Sequence, residues 1–99
     1  MVLFEWDKNK NDKNIAKHGI AFDEAESVFD DENGILIDDP DHSSTEERFI
    51  LIGFSSKARM LIVCHCYRIT TNFVEIVRII SARKPTKREE KIYSEENGL

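Results

Sequence analysis

The chain has little of what marks a membrane, secreted or disulfide-bonded protein. It contains no uncharged apolar run of about 18 residues or more, which a membrane-spanning helix needs. Its first residues, 1–7, lack the cationic start that precedes the apolar run of a secretory leader. Its two cysteines, Cys64 and Cys66, share one face of a strand-like run without the close approach that a relaxed disulfide needs. We therefore expect a soluble cytoplasmic protein with reduced thiols in its core.

Motifs for several common chemistries are also absent. The sequence holds no Gly-rich phosphate loop, no Gly-x-Ser-x-Gly elbow and no His-Glu-x-x-His zinc helix, which argues against nucleotide hydrolysis and zinc proteolysis. The triplet at 64–66 is a poor metal site, because alternation along a strand points His65 away from both thiols. We expect no metal and no cofactor. His65 is either a polar residue packed on the sheet or a proton-transfer group.

Charge is distributed unevenly along the 99 residues. Residues 1–56 hold 5 Lys or Arg against 14 Asp or Glu, a net charge of −9, whereas residues 57–91 hold 9 against 3, a net charge of +6. Two arginines of the basic segment, Arg78 and Arg83, bracket an apolar strand. A guanidinium at a sheet is costly to desolvate unless an anion meets it. Phosphate is the candidate anion, since local field steers a polyanion more than total charge does.

A first helix is predicted close to the N-terminus. Asp7 is placed to cap a polar helix over 8–18, and Gly19 follows where a left-handed residue usually closes one. The helix contains few apolar residues, and only Ile15 and Ala16 offer it a clear buried anchor. We expect it to lie on the surface, packed by one edge.

Two further helices are predicted. Asp23 is expected to cap the first of them, which ends at the Asn33-Gly34 pair. Its apolar residues recur at helical spacing and supply a core stripe, namely Phe22, Ala25, Val28 and Phe29. The last helix opens at Pro85 and Thr86, and Thr86 with Glu89 has the capping-box spacing.

A period of two predicts strands in the middle of the chain. The predicted strands are Ile35–Asp38, Arg48–Phe54, Arg59–Tyr67 and Phe73–Ala82, with a short edge strand at Val2–Trp6. Short loops favour an antiparallel meander, whereas the acidic connection at 38–47 is too polar for a core. The sequence therefore predicts one α+β domain over 1–99, with helices segregated from a sheet of about four to five strands. One sheet face should stay open for a ligand.

The two bracketing arginines have opposite parity on an ideal strand. Arg78 shares its face with Ile76 and Ile80, and Arg83 does not. Both can reach one site only if a bulge intervenes or the strand ends before Arg83. The alternative is that Arg78 pairs with a carboxylate such as Glu47 and only holds the sheet.

Charged residues flank the sheet at two further places. Glu47 and Arg48 enter a strand together, as a general base beside a phosphate clamp or as a surface ion pair. Lys84, Lys87 and Arg88 surround a helix start, where backbone N–H groups add to the attraction for phosphate. Such runs are also common on solvated faces.

A series of short motifs in order along nearly the whole chain resembles the BrnT family. These are Phe4-Glu-Trp-Asp7, Asn14-Ile-Ala-Lys-His-Gly19, Phe22-Asp-Glu-Ala25, Val28-Phe-Asp30, Asp39-Pro-Asp-His-Ser43, Glu46-Glu-Arg48, Ile52-Gly53, Arg59 and Arg78-Ile-Ile-Ser-Ala-Arg83. The resemblance implies a toxin of a type II toxin–antitoxin pair with a fold similar to RelE-type ribonucleases. It also implies a BrnA antitoxin with a ribbon-helix-helix DNA-binding part, in a complex that represses its own operon.

The resemblance also assigns site residues. The positions that fall on family motifs are Lys17, His18, Glu47, Arg48, Arg59, Arg78 and Arg83. His65 and Arg68 match a His followed three places on by Arg, although the intervening Cys66 and Tyr67 are less polar than the family pattern. The tail departs as well, with Pro85 in place of a small residue.

From the residues and the resemblance together we predict that the chain is a metal-independent endoribonuclease. In this reaction the RNA 2′-hydroxyl attacks the adjacent phosphorus and leaves a 2′,3′-cyclic phosphate. The predicted catalytic residues are Glu47, Arg48, Arg59, His65, Arg78 and Arg83. The predicted RNA-binding residues are Lys17, His18, Arg68, Lys84, Lys87 and Arg88. The alternative is a non-catalytic partner and co-repressor of the antitoxin, which the acidic segment 22–47 favours. By family analogy we expect a complex of two toxins and two antitoxins that meets operator DNA only through the antitoxin.

Overall fold

The computed structural model describes residues 2–39 and 47–99. In that part of the chain a five-stranded sheet is flanked by helices, an α+β arrangement. The strands are β1 (Val2–Glu5), β2 (Ile35–Asp38), β3 (Phe49–Phe54), β4 (Met60–Ile69) and β5 (Glu75–Arg83), and the helices are α1 (Lys8–His18), α2 (Phe22–Ser27) and α3 (Lys87–Glu96), with a 3-10 turn at Val28–Asp30. None of the described helices is long and apolar enough to cross a membrane.

The sheet is mixed. Its strand order is β1-β5-β4-β3-β2, and strands β2 to β5 form the antiparallel meander that the short loops predict. The prediction of a wholly antiparallel sheet is wrong for β1, which pairs in parallel with β5. A parallel neighbour needs a long crossover, and here residues 6–74 separate the two strands.

Both faces of the sheet carry packing. Helices α1 and α2 cover one face, the helix face, where Phe22, Val28 and Val63 are fully buried in the larger core cluster. The opposite face, the α3 face, packs α3 over Ile52 and Ile62 through Tyr93. The prediction that one sheet face stays open is therefore wrong for part of the α3 face, because α3 packs over Ile52 and Ile62.

Helix α1 has the predicted ends but a different anchor. The side chain of Asp7 accepts hydrogen bonds from the first turn, and Gly19 closes the helix at φ 71°. Ile15 is 44% exposed, so the predicted apolar anchor is wrong. The buried residue is Asn14, whose amide donates to the carbonyls of Ile20 and Ala82 at 2.8 and 2.9 Å and accepts from the Ala82 N–H at 3.1 Å. A polar side chain can anchor a helix when backbone groups satisfy it.

Helix α2 begins and ends earlier than predicted. Its N-cap is Ala21, without a side-chain cap, so the prediction that Asp23 caps it is wrong. It ends at Ser27 and passes into the 3-10 turn, well before the predicted Asn33-Gly34 stop. Asp31 holds this turn, accepting from the Phe54 N–H at 2.8 Å and the Tyr93 hydroxyl at 2.9 Å. That carboxylate ties the segment after α2 to β3 and α3.

Candidate functional site

A bulge in β5 aligns the two arginines that an ideal strand would separate. Arg78 lies opposite Cys66 and Ser81 lies opposite Cys64, so four residues of β5, 78–81, face three of β4, 64–66. The extra residue reverses the alternation, and Arg83, opposite Ile62, comes onto the same face as Arg78. Of the two conditions under which both arginines could reach one site, the structure shows the bulge, since β5 continues through Arg83. Both arginine side chains therefore lie on the α3 face of the sheet.

A cavity of about 370 Å³ opens on that face between the sheet and the start of α3. Its basic lining residues are Arg48 and Arg83, and its acidic ones are Asp38, Asp39 and Glu89. Arg48 immediately precedes β3, and its carbonyl accepts from the Asp39 N–H at 2.9 Å. Glu47, next to it, is exposed. The predicted acidic loop falls largely on residues 40–46, which lie outside the described residues.

Arg83 is held by a carboxylate that also lines the cavity. Its two terminal nitrogens donate to the two Glu89 oxygens at 2.8 and 2.9 Å, and Nη1 also contacts the Lys84 carbonyl at 3.3 Å. Glu89 completes the predicted capping box with Thr86. The pKa of Glu89 is lowered, first by the Arg83 hydrogen bond. These contacts use three of the five N–H donors of the guanidinium.

A second group of arginines surrounds Glu5 at the other end of the α3 face. Arg78 and Arg68 each donate to one oxygen of Glu5, both at 2.6 Å. Glu5 lies beside Arg78 in the parallel β1–β5 register. The proposed alternative partner for Arg78, Glu47, is therefore wrong, although a carboxylate does hold this arginine. Neither Arg68 nor Arg78 lines the cavity.

Arg59 lies apart from both groups. Its Nε and Nη2 donate to Glu24 on α2 at 2.8 and 2.6 Å, and Nη2 also contacts the Gly19 carbonyl at 3.2 Å. Ser55 adds a hydrogen bond to the same carboxylate at 2.7 Å. The Glu24 side chain is 3% exposed. This arrangement joins α2 to the β3–β4 hairpin and leaves Arg59 outside the cavity.

His65 is buried on the helix face, behind the arginines. Its Nδ1 contacts the Val63 carbonyl at 3.0 Å, and its Nε2 contacts the Tyr67 hydroxyl at 3.0 Å. A carbonyl only accepts, so Nδ1 carries the proton and the Tyr67 hydroxyl donates to Nε2. Burial lowers the pKa of His65, which keeps the ring neutral. Of the two roles predicted for His65, its position favours the residue packed on the sheet.

The predicted RNA-binding residues divide among three places, one of which is the Glu5 group that contains Arg68. Lys84, Lys87 and Arg88 are exposed around the start of α3, next to Arg83. Lys17 and His18 form the last turn of α1, before Gly19 and on the side of Arg59. The twelve predicted residues therefore occupy several surfaces, and the structure brings only Arg48 and Arg83 of the catalytic set into one cavity.

The sequence analysis did not predict five polar residues of the cavity lining as site residues, namely Asp38, Asp39, Cys64, Ser81 and Glu89. Cys64 donates its thiol hydrogen to Asp39 Oδ2 at 3.7 Å, and Ser81 lies opposite Cys64 in the register. Burial and the Asp39 carboxylate raise the pKa of Cys64 to about 11, so the thiol stays protonated and is a poor nucleophile. Strand alternation placed Cys64 on this face, but only the bulge brings Ser81 beside it.

Within residues 2–39 and 47–99, no cluster of three or more His, Cys, Asp or Glu side chains is arranged to hold a metal ion.

The chain is a small α+β protein with a mixed sheet and helices on both of its faces. Its α3 face carries an arginine-lined cavity and guanidinium groups that are ion-paired with carboxylates. Residues 6–89 match the family described as "Ribonuclease toxin, BrnT, of type II toxin-antitoxin system". The chain belongs to this BrnT family, and a toxin of this type implies an antitoxin partner.

A solved structure supports the fold. The crystal structure of the ribonuclease toxin BrnT of Brucella abortus is similar with a TM-score of 0.57 and 24% sequence identity. The match covers 88% of this chain and 99% of the Brucella chain. No curated protein matches the sequence.

Acid is expected to destabilise the protein through Glu24. The Arg59 hydrogen bond holds the pKa of Glu24 below its ordinary value of 4.5. A lowered folded-state pKa gives stabilisation that is complete above the unfolded-state value and is lost as the pH falls through the folded-state value. The urea concentration at the unfolding midpoint should therefore fall as the pH is lowered below about 4.5. Glu24→Gln should lower the midpoint at neutral pH and make its fall in acid smaller. Glu95→Gln, on the exposed side of α3, is the control, and an equal effect of both variants would contradict the assignment.

Proposed function

We propose that this chain is a metal-independent endoribonuclease acting at the cavity on the α3 face. The RNA 2′-hydroxyl attacks the adjacent phosphorus, the bond to the 5′-oxygen breaks, and a 2′,3′-cyclic phosphate remains. The observation that carries the proposal is that Arg48 and Arg83 line one cavity, with the exposed carboxylate of Glu47 next to Arg48 in the chain. Membership of a ribonuclease-toxin family supports the reaction class.

Each residue of the proposed site has a role that its chemistry suits. Glu47 takes the proton of the 2′-hydroxyl, a role that favours an exposed carboxylate over His65, which lies behind the sheet. Arg48 and Arg83 stabilise the negative charge that grows on the phosphorane, because their planar forks match phosphate oxygens. Lys84, Lys87 and Arg88 hold neighbouring phosphates at the start of α3.

The remaining arginines act outside the reaction centre in this proposal. Arg68 and Arg78 contact RNA phosphates with the donors that Glu5 does not use. Arg59 holds α2 to the β3–β4 hairpin through Glu24. Lys17 and His18, at the end of α1, extend the contact with RNA.

The proposed partner is a BrnA-like antitoxin with a ribbon-helix-helix DNA-binding part. A dimer of such an antitoxin would carry two toxins, one on each symmetry-related surface, and the complex would meet operator DNA through the antitoxin. In this proposal the pair acts in the cytoplasm, and the fold is related to that of RelE-type ribonucleases.

A second function, in which the chain binds the antitoxin without cleaving RNA, is favoured by one observation. Arg59, Arg68, Arg78 and Arg83 are each bound by a carboxylate, so an RNA phosphate must compete with an existing ion pair. Growth arrest on expression of the chain alone, relieved by the antitoxin, supports the ribonuclease. Harmless expression and intact RNA support the binding function.

The reaction class is tested by mapping the ends left on RNA after incubation with the purified chain in EDTA. We expect 2′,3′-cyclic phosphate ends and 5′-hydroxyl ends. Intact RNA, 5′-phosphate ends, or activity that EDTA abolishes would each contradict the proposal.

Arg83→Lys is expected to slow cleavage about 100-fold, because lysine keeps the charge but loses the planar fork that meets two phosphate oxygens. Single-turnover rates on saturating RNA measure the effect. Lys91→Ala, on an exposed part of α3, should cleave like the wild type. A thermal melt checks that the loss of the paired contact with Glu89 has not unfolded the variant. Wild-type rates from folded Arg83→Lys protein would remove Arg83 from the reaction.

A further inference from the structure

A groove of about 390 Å³ lies on the helix face, beyond the end of α2. Phe4 and Phe29 form its apolar wall, with ring centroids 5.1 Å apart, and Tyr67 closes another side. Phe4 and Tyr67 alternate along their strands with Glu5 and Arg68, so the groove and the arginines lie on opposite faces of the sheet. The groove is therefore separate from the proposed RNA site.

Further exposed apolar side chains lie between Glu75, which lines the groove, and the turn of the β4–β5 hairpin. Val2 and Ile69 both lie beside Glu75 in the register and are 49% and 69% exposed. Phe73, in the hairpin turn, is 88% exposed and has a φ of 59°. A left-handed conformation is unfavourable for a bulky residue, and contiguous exposed apolar surface is uncommon outside interaction sites. Both features point to a surface that a partner covers.

The charge of the groove indicates the chemistry of that partner. Asp30 and Glu75 contribute two carboxylates, and no described Lys or Arg lines the groove. A complementary ligand presents apolar side chains to the wall and Lys or Arg side chains to the carboxylates. An amphipathic helix with a basic flank meets both requirements in a groove of this size. The hydrogen bond from Tyr67 to His65 fixes one wall in advance.

We propose that this groove docks a basic amphipathic segment of the antitoxin. The inference rests on the antitoxin as partner and is independent of whether the chain cleaves RNA. Because the groove and the cavity lie on opposite faces of the sheet, docking in the groove and blocking of the RNA site are separable steps. The groove anchors the antitoxin, and a different part of the antitoxin covers the cavity.

The test measures binding between the purified chain and its purified antitoxin, by titration calorimetry. Glu75→Lys reverses a charge in the groove, and Phe73→Ser removes the exposed aromatic side chain. We expect each to weaken binding by about tenfold or more, and we expect the wild-type affinity to fall as salt is added. Glu96→Lys makes the same charge change at the exposed end of α3 and should bind like the wild type. RNA cleavage by the free groove variants should match that of the wild type.

Three results would overturn the docking proposal. Wild-type affinity of both groove variants would remove the groove from the interface, and equal weakening by Glu96→Lys would reduce the effect to net charge. A wild-type chain that dimerises without antitoxin, and is made monomeric by Phe73→Ser, would assign the groove to a second copy of the chain. If RNA stays intact while the groove variants lose antitoxin binding, the ribonuclease proposal fails and the docking proposal stands.

Discussion

Replacing Asn14 with alanine is expected to lower the free energy of unfolding by about 3–5 kcal/mol, because three buried backbone groups lose their partner and each costs about 1–3 kcal/mol when left unpaired. The groups are the carbonyls of Ile20 and Ala82 and the N–H of Ala82. Asn14 therefore joins α1 to the segment after it and to β5. Urea unfolding followed by circular dichroism measures the change.

The neighbouring residue supplies the control. Ile15 is 44% exposed, and Ile15→Ala should cost about 1 kcal/mol or less because little apolar surface is lost. Asn14→Asp keeps the size of the side chain but turns an oxygen toward the carbonyls, so it should also destabilise the protein. A larger effect for Ile15→Ala than for Asn14→Ala would show that apolar contact holds α1 in place.

Local signals predicted much of the fold, whereas Asn14 shows where they stop. Asp7, Gly19 and the Thr86–Glu89 capping box act within a few residues, and the structure confirms all of them. The partner of Asn14 on β5 is 68 residues away along the chain. Counting apolar residues therefore pointed to Ile15, since nothing local identifies a polar side chain that backbone groups of another element satisfy.

The α3 face shows the same limit. Alternation indicated that Arg78 and Arg83 need a bulge to share a face, but it did not indicate which carboxylates would bind them. Glu5 reaches Arg78 because β1 joins the sheet in parallel, which the predicted antiparallel sheet did not include. The arginines were expected to gather over one patch, and the structure divides them between the cavity, the Glu5 group and the Glu24 group.

The ion pairs change how the arginines can act on RNA. A guanidinium bound by Glu89 or Glu5 has a fixed orientation, and it contributes less net charge than a lone arginine does. RNA phosphate can share such an arginine by using its remaining donors, or it can displace the carboxylate. In the proposed site Arg83 already points toward the cavity, so its orientation does not have to be established when RNA binds.

Glu47→Gln is expected to slow RNA cleavage by about 10²–10⁴-fold, because glutamine keeps the shape of the side chain but cannot take the proton of the 2′-hydroxyl. Glu47 is exposed, so the stability of the variant should stay within about 0.5 kcal/mol of the wild type. RNA affinity should not fall, since removing a negative charge does not weaken attraction to a polyanion. Single-turnover rates, RNA binding and urea unfolding separate these three quantities.

Glu32→Gln is the matched control for Glu47→Gln, because it makes the same change at an exposed residue in the turn after the 3-10 segment. It should cleave like the wild type. A fall in rate for Glu47→Gln alone, at unchanged stability, assigns the proton transfer to Glu47, just before β3. Wild-type cleavage by Glu47→Gln would contradict that role. His65 could then act only if the packing on the helix face opened to expose it, since its two ring nitrogens are bound to Val63 and Tyr67 there.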